Sequence, residues 1–194
     1  MYYTNYNIKK ERIKNIIIIS IILFVAIFST YNIYQKFSDT ENIDYSSDSL
    51  DVTFHEKDGE QLDITKVTPL TDSVGLSSKG HTIKITNNLT EPVNYKIKII
   101  DNKEKMEEQN CEGITIPREE IKVSIKEAGQ ATKVYKLSEL EKGIILSKTA
   151  TALETTKYTI RIWVSNDTHL PSGSDNHYHG LIQIFENDTT LAVK

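Results

Sequence analysis

Residues 81–99 read HTIKITNNLTEPVNYKIKI. On either side of a polar turn, apolar side chains recur at every second position. Ile83 and Ile85 alternate with Lys84, and Val93, Tyr95, Ile97 and Ile99 alternate with Asn94, Lys96 and Lys98. Period two places the apolar set on one face of an extended chain and the lysines on the other, the pattern of a strand wet on one side only. Asparagines and Pro92 supply the turn chemistry between them.

The same alternation recurs outward from this stretch. LDVTF (50–54) sets Leu50, Val52 and Phe54 on one face, and IKVSIK (121–126) does so with Ile121, Val123 and Ile125. YTIRIWV (158–164) aligns Tyr158, Ile160, Ile162 and Val164 against Thr159, Arg161 and Trp163, and GLIQIF (180–185) turns Ile182 and Ile184 inward. Shorter strands are expected near Leu62 to Thr65, Thr132 to Tyr135 and Ile144 to Lys148. KLSELEKG (136–143) reads as one helical turn capped by Ser138 and stopped by Gly143. DNKEKMEEQNCE (101–112) reads as an exposed charged loop or a short helical excursion. Eight or nine short strands with such punctuation predict an all-β domain, a two-sheet antiparallel sandwich of jelly-roll or Greek-key type.

The N-terminal end follows a different rule. Residues 15–34, NIIIISIILFVAIFSTYNIY, hold 19 residues from Ile16 to Tyr34 that are mostly apolar, close to the ~20 that cross a hydrocarbon layer as a helix. Lys9, Lys10, Arg12 and Lys14 precede the run against Glu11 alone, so the positive-inside tendency keeps the N-terminus cytoplasmic and sends the remainder outside. Tyr31 and Tyr34 suit the outer interface. A retained anchor and a cleaved signal both fit the core length. The expected organisation is a basic cytoplasmic segment (1–14), a transmembrane helix or signal-anchor (15–34), a spacer (35–48), an extracellular sandwich (49–187) and a C-terminal tail (188–194).

The balance of the chain narrows its chemistry. A net charge of -4 without a basic, aromatic-laced patch gives no nucleic-acid footprint. A single cysteine, Cys111, excludes an internal disulfide, so packing alone must hold the exported part together. No His-Glu-x-x-His is present, and no catalytic residue and no cofactor is expected. The candidates for metal ligation lie in NDTHLPSGSDNHYH (166–179): His177 and His179 share one face of a strand, with His169 and Asp175 nearby. The plainer expectation for them is a polar loop with solvent-exposed histidines. For Cys111 it is an exposed loop thiol with no base beside it in sequence. The acid pairs Glu107–Glu108 and Glu119–Glu120 read as solvated faces rather than glycosidase carboxylates. Trp163 either covers a cross-strand neighbour or presents a contact to a partner. Asn-x-Thr sequons begin at Asn88, Asn166 and Asn187.

The run Phe37, Ser38, Asp39, Thr40 behind an apolar segment, followed after about ten residues by Ser49, Leu50, Asp51 and Val52, resembles the start of the camelysin/TasA-like family. HTIKITNNLTEPVNYKIKI, YTIRIWV and HGLIQI resemble later strands of the same family. Those are exported β-sandwich proteins of Gram-positive bacteria, some of which build biofilm matrix fibres. The resemblance implies a cell-surface structural or assembly protein, a fibre subunit or an accessory one, in which residues 38–54 can serve as a strand donated to a neighbour. That neighbour would be a second copy or a related surface protein. The family also carries a metallopeptidase label. Two departures stand out. Tyr34, Gln35 and Lys36 occupy positions where relatives carry small residues for their signal peptidase, and Leu89 stands where relatives often have Gly. In a bacterial setting the three sequons are coincidental. A monomeric anchored binding module, presenting loops such as 166–176, and a metal-dependent peptidase are the rival readings.

Overall fold

The computed structural model describes residues 43–56, 59–111, 113–187 and 189–193, together with Ile18. Apart from Ile18, the apolar run 15–34 lies outside these residues, as do Phe37, Ser38, Asp39 and Thr40. Among the described residues no helix is long and apolar enough to cross a membrane.

The described residues form two sheets. The first contains β1 (Ile43–Ser46), β2 (Leu50–Phe54), β5 (His81–Asn87), β10 (Thr155–Ser165), β7 (Ile121–Glu127) and β8 (Lys133–Lys136) in that spatial order, with β13 (Ala192–Val193) outside β1. Its pairings are antiparallel except where β4 (Pro69–Leu70) lies parallel to the end of β10. The second runs β12 (Thr189–Thr190), β11 (Tyr178–Glu186), β6 (Val93–Asp101), β9 (Ile144–Ala150), with β3 (Gln61–Ile64) also paired to β11, all antiparallel. The sheet structure thus begins within the segment expected as a spacer and extends into the one expected as a tail.

Each alternating segment turns its apolar side inward. Leu50, Val52, Ile83, Ile85, Val123 and Ile160 of the first sheet join Leu62, Ile97, Ile99 and Ile182 of the second in one buried cluster. Full burial of a side chain of this size contributes roughly 1.5–3 kcal/mol. Tyr95 of β6 and Tyr158 of β10 link the sheets through the core. Their hydroxyls lie 2.5 Å apart and their rings meet edge to face, and burial pushes both phenols above their ordinary pKa.

The segment that dictates the β reading does not form a hairpin. β5 belongs to the first sheet and β6 to the second, so residues 88–92 carry the chain across the core as an arch. Asn87 makes this feasible. Its buried side-chain amide donates to the carbonyls of Glu91 and Thr151, each at 2.8 Å, and its Oδ1 accepts the Leu89 N–H at 2.9 Å. The neighbouring crossing from β9 to β10 uses residues 151–154, and Asn87 ties the two arches together. Period two specifies the buried face of a strand but not which sheet receives it, because both sheets present the same face to the same core.

Two smaller expectations are overturned, and a third is decided. KLSELEKG forms two 3₁₀ turns, Leu137–Glu139 and Glu141–Gly143, rather than one helical turn. The Lys136 N–H is capped by Glu139, not by Ser138. Gly143 does end the segment: its φ is +75°, and a Cβ there would stand 2.4 Å from the Ile99 carbonyl oxygen. Trp163 offers no contact to a partner. It is 2 % exposed because helix α1 (Asp72–Ser77) lies over the outer face of β10.

Candidate metal centre

The outer face of the second sheet is covered in the same manner. After β6 the chain forms helix α2 (Lys103–Glu108), where Asn102 Oδ1 accepts the Lys105 N–H at 3.1 Å. Asn110 adopts a left-handed backbone, φ +51°, as asparagine tolerates better than most residues. The chain then runs beside the start of β11. His177 N–H donates to the Ile114 carbonyl at 3.0 Å and Ile116 N–H donates to the His177 carbonyl at 2.8 Å. Cys111 is held between these segments. Its N–H donates to the Met106 carbonyl at 2.9 Å, and its own carbonyl accepts the Thr115 hydroxyl at 2.9 Å.

This placement overturns the expectation of an exposed thiol. Cys111 is buried, and its Sγ lies 2.6 Å from His177 Nε2. The histidine pair is not a solvent-exposed loop feature either. His177 is partly covered and His179 is 1 % exposed. Because the two are separated by one residue along the chain, their rings fall on the same side, with centroids 5.1 Å apart. Cys111, His177 and His179 each offer one ligand atom, and the three atoms lie within 4.8 Å of one another.

The ring nitrogens facing away from the cluster are engaged. His177 Nδ1 lies 2.9 Å from the Asp175 backbone carbonyl, and His179 Nδ1 lies 2.6 Å from Asp63 Oδ1 on β3. The other Asp63 oxygen accepts from Lys105 Nζ at 2.6 Å, and the same ammonium donates to Gln61 Oε1 at 2.8 Å. Burial pushes the Asp63 carboxyl up, but the hydrogen bonds and charges of Lys105 and His179 outweigh it and hold the group below its ordinary pKa. A carbonyl or carboxylate on Nδ1 fixes that nitrogen as the protonated one and leaves Nε2 with a lone pair. His179 Nε2 is buried with no hydrogen-bond partner.

His169 is exposed and is not part of this group, and Asp175 contributes its backbone carbonyl rather than its carboxylate. The third side chain of the cluster is Cys111, 66 residues before His177, and the orienting acid is Asp63, 116 residues before His179. No local spacing announces either one. Only the pairing of β3 and of residues 114–116 with the start of β11 brings them together. Glu107, Glu108 and Glu119 are exposed, in keeping with solvated faces.

Comparison of the chain with protein families, with characterised proteins and with solved structures found no match.

Proposed function

We propose that the chain is a cell-surface protein of the camelysin/TasA-like type, exported or anchored by its N-terminal apolar segment. In this reading residues 43–193 stand outside the membrane as a sandwich whose connections cross between sheets in the Greek-key manner. They serve as a structural or accessory subunit of a surface assembly. The observation that supports this most is the position of β2. The segment following the apolar run and the Phe37–Thr40 motif supplies a core strand in which Leu50, Val52 and Phe54 are at most 1 % exposed. Among the described residues, that strand is flanked on its outer side by β1 and the two-residue β13. A strand so placed can be exchanged, since a neighbouring copy's equivalent segment would restore the same main-chain hydrogen bonds and fill the same pockets. Passing residues 43–54 from each copy to the next gives a head-to-tail chain that need not close.

A monomeric anchored binding module is the second reading, and a specific feature favours it. β2 lies in its own sheet, and the Ser47 and Ser49 hydroxyls after β1 both donate to the Glu186 carboxylate of β11, pinning the turn to the opposite sheet. Sedimentation of residues 38–194 over a concentration series separates the two. Assembly that grows with concentration, and that is lost when residues 46–54 are deleted, supports the subunit; a monomer at every concentration supports the module.

A further inference from the structure

We propose that Cys111, His177 and His179 form a three-ligand site for a thiophilic late first-row cation, of which Zn²⁺ is the type. Asp63 is the positioning residue behind His179. The inference is independent of whether the chain assembles.

The donor set is one thiolate and two imidazoles. That combination selects zinc or its thiophilic neighbours over calcium and magnesium, which take oxygen ligands. Both tautomers are already set for it. The Asp175 carbonyl engages His177 Nδ1 and the Asp63 carboxylate engages His179 Nδ1, which leaves His177 Nε2 against Cys111 Sγ and His179 Nε2 without a partner. A carboxylate or carbonyl behind each ligating histidine is the usual arrangement around zinc, where it fixes the ring and raises the basicity of the ligand.

The decisive observation is His179 Nε2. A polar nitrogen on a side chain 1 % exposed, with no partner, carries an uncompensated desolvation cost. A cation shared with Cys111 and His177 removes that cost. To take the ion, Cys111 Sγ and His177 Nε2 have to move apart by about 1 Å, a side-chain adjustment. Bonds of about 2.0–2.3 Å place tetrahedral ligand atoms about 3.3–3.6 Å apart, and the three atoms here lie within 4.8 Å of one another, with Sγ and His177 Nε2 at 2.6 Å. Cys111 also lines a cleft of about 380 Å³ with Lys103, Met106, Glu107, Asn110 and Thr115. On the Cys111 side the cleft would give the ion a path and room for a water at the fourth position, as in zinc sites that keep one position open.

The test uses the full-length chain in detergent, freed of metal and titrated with Co²⁺ and then with Zn²⁺. One Co²⁺ binds per chain, with a thiolate-to-cobalt charge-transfer band in the near ultraviolet and the visible bands of a tetrahedral ion, and one equivalent of Zn²⁺ abolishes both. Cys111→Ser removes the charge-transfer band, and His179→Gln removes stoichiometric binding. Asp63→Asn weakens Zn²⁺ binding about 10- to 100-fold, while His169→Ala leaves it unchanged. Circular dichroism of each variant separates loss of the site from loss of the fold. A folded wild-type chain that binds Co²⁺ without the thiolate band, or binds none, overturns the proposal. So does a Cys111→Ser chain with unchanged Zn²⁺ affinity.

Discussion

Gly75 of α1 rests directly on the indole of Trp163: a Cβ built on Gly75 would lie 2.4 Å from Trp163 Cδ2. The helix approaches the outer face of β10 this closely because position 75 carries no side chain. Trp163 is the single tryptophan of the chain, so its fluorescence reports on this contact alone. Gly75→Ala should push the helix off the indole, cost about 1–3 kcal/mol as overpacking does, and shift the emission to longer wavelength. Unchanged emission and melting temperature would show that α1 does not seal that face.

The Tyr95–Tyr158 pair joins the two sheets by a hydrogen bond inside the core. Removing one hydroxyl takes away the group that the other faces. Tyr95→Phe should therefore cost about 1 kcal/mol, and Tyr95→Phe with Tyr158→Phe should cost less than the sum of the single changes. Additive losses in urea unfolding would mean that the two hydroxyls are not coupled.

Phe54 tests whether β2 is part of the core. It is 1 % exposed and meets the Tyr45 ring edge to face at 5.5 Å. Phe54→Ala should cost about 3–5 kcal/mol. Asp51→Ala, on the exposed face of the same strand, should stay within about 0.5 kcal/mol. Equal effects at the two positions would place β2 outside the core.

Stability should fall in acid partly through Glu154. Its carboxylate accepts the Thr151 N–H at 2.7 Å, Lys148 Nζ at 3.0 Å and the Thr156 hydroxyl at 2.8 Å. The backbone donor first, then the Lys148 and hydroxyl bonds, lower its pKa from 4.5 to about 2. A carboxyl lowered on folding contributes stability that is fully present above its unfolded pKa and is lost as the pH falls through the folded value. The loss from this group therefore runs from about pH 5 down to about pH 2. Glu154→Gln should flatten the decline in melting temperature over that window, and an unchanged slope would remove Glu154 from the acid response.

Strand positions and inward faces were legible because burial on one side imposes period two whatever the partner strand. Ile83, Tyr95, Val123 and Ile182 could be assigned from spacing alone. Pairing was not legible. The arch at 88–92 and a hairpin would share the same local composition, and Asn87 betrays the crossing only through carbonyls 63 and 64 residues away. Trp163 was left open for a related reason: alternation turns it outward, and α1, from a distant segment, closes that side. The site was half legible. His177 and His179 stand at strand spacing, whereas Cys111 and Asp63 enter through tertiary pairing, and His169 was near in sequence without being near in space.

The sidedness of the chain is what the proposed function needs most, and protease added to intact cells tests it directly. Residues 43–193 should be digested or shed from outside while the cells remain sealed, leaving any retained N-terminal fragment in the membrane. Protection of those residues until the cells are lysed would contradict it.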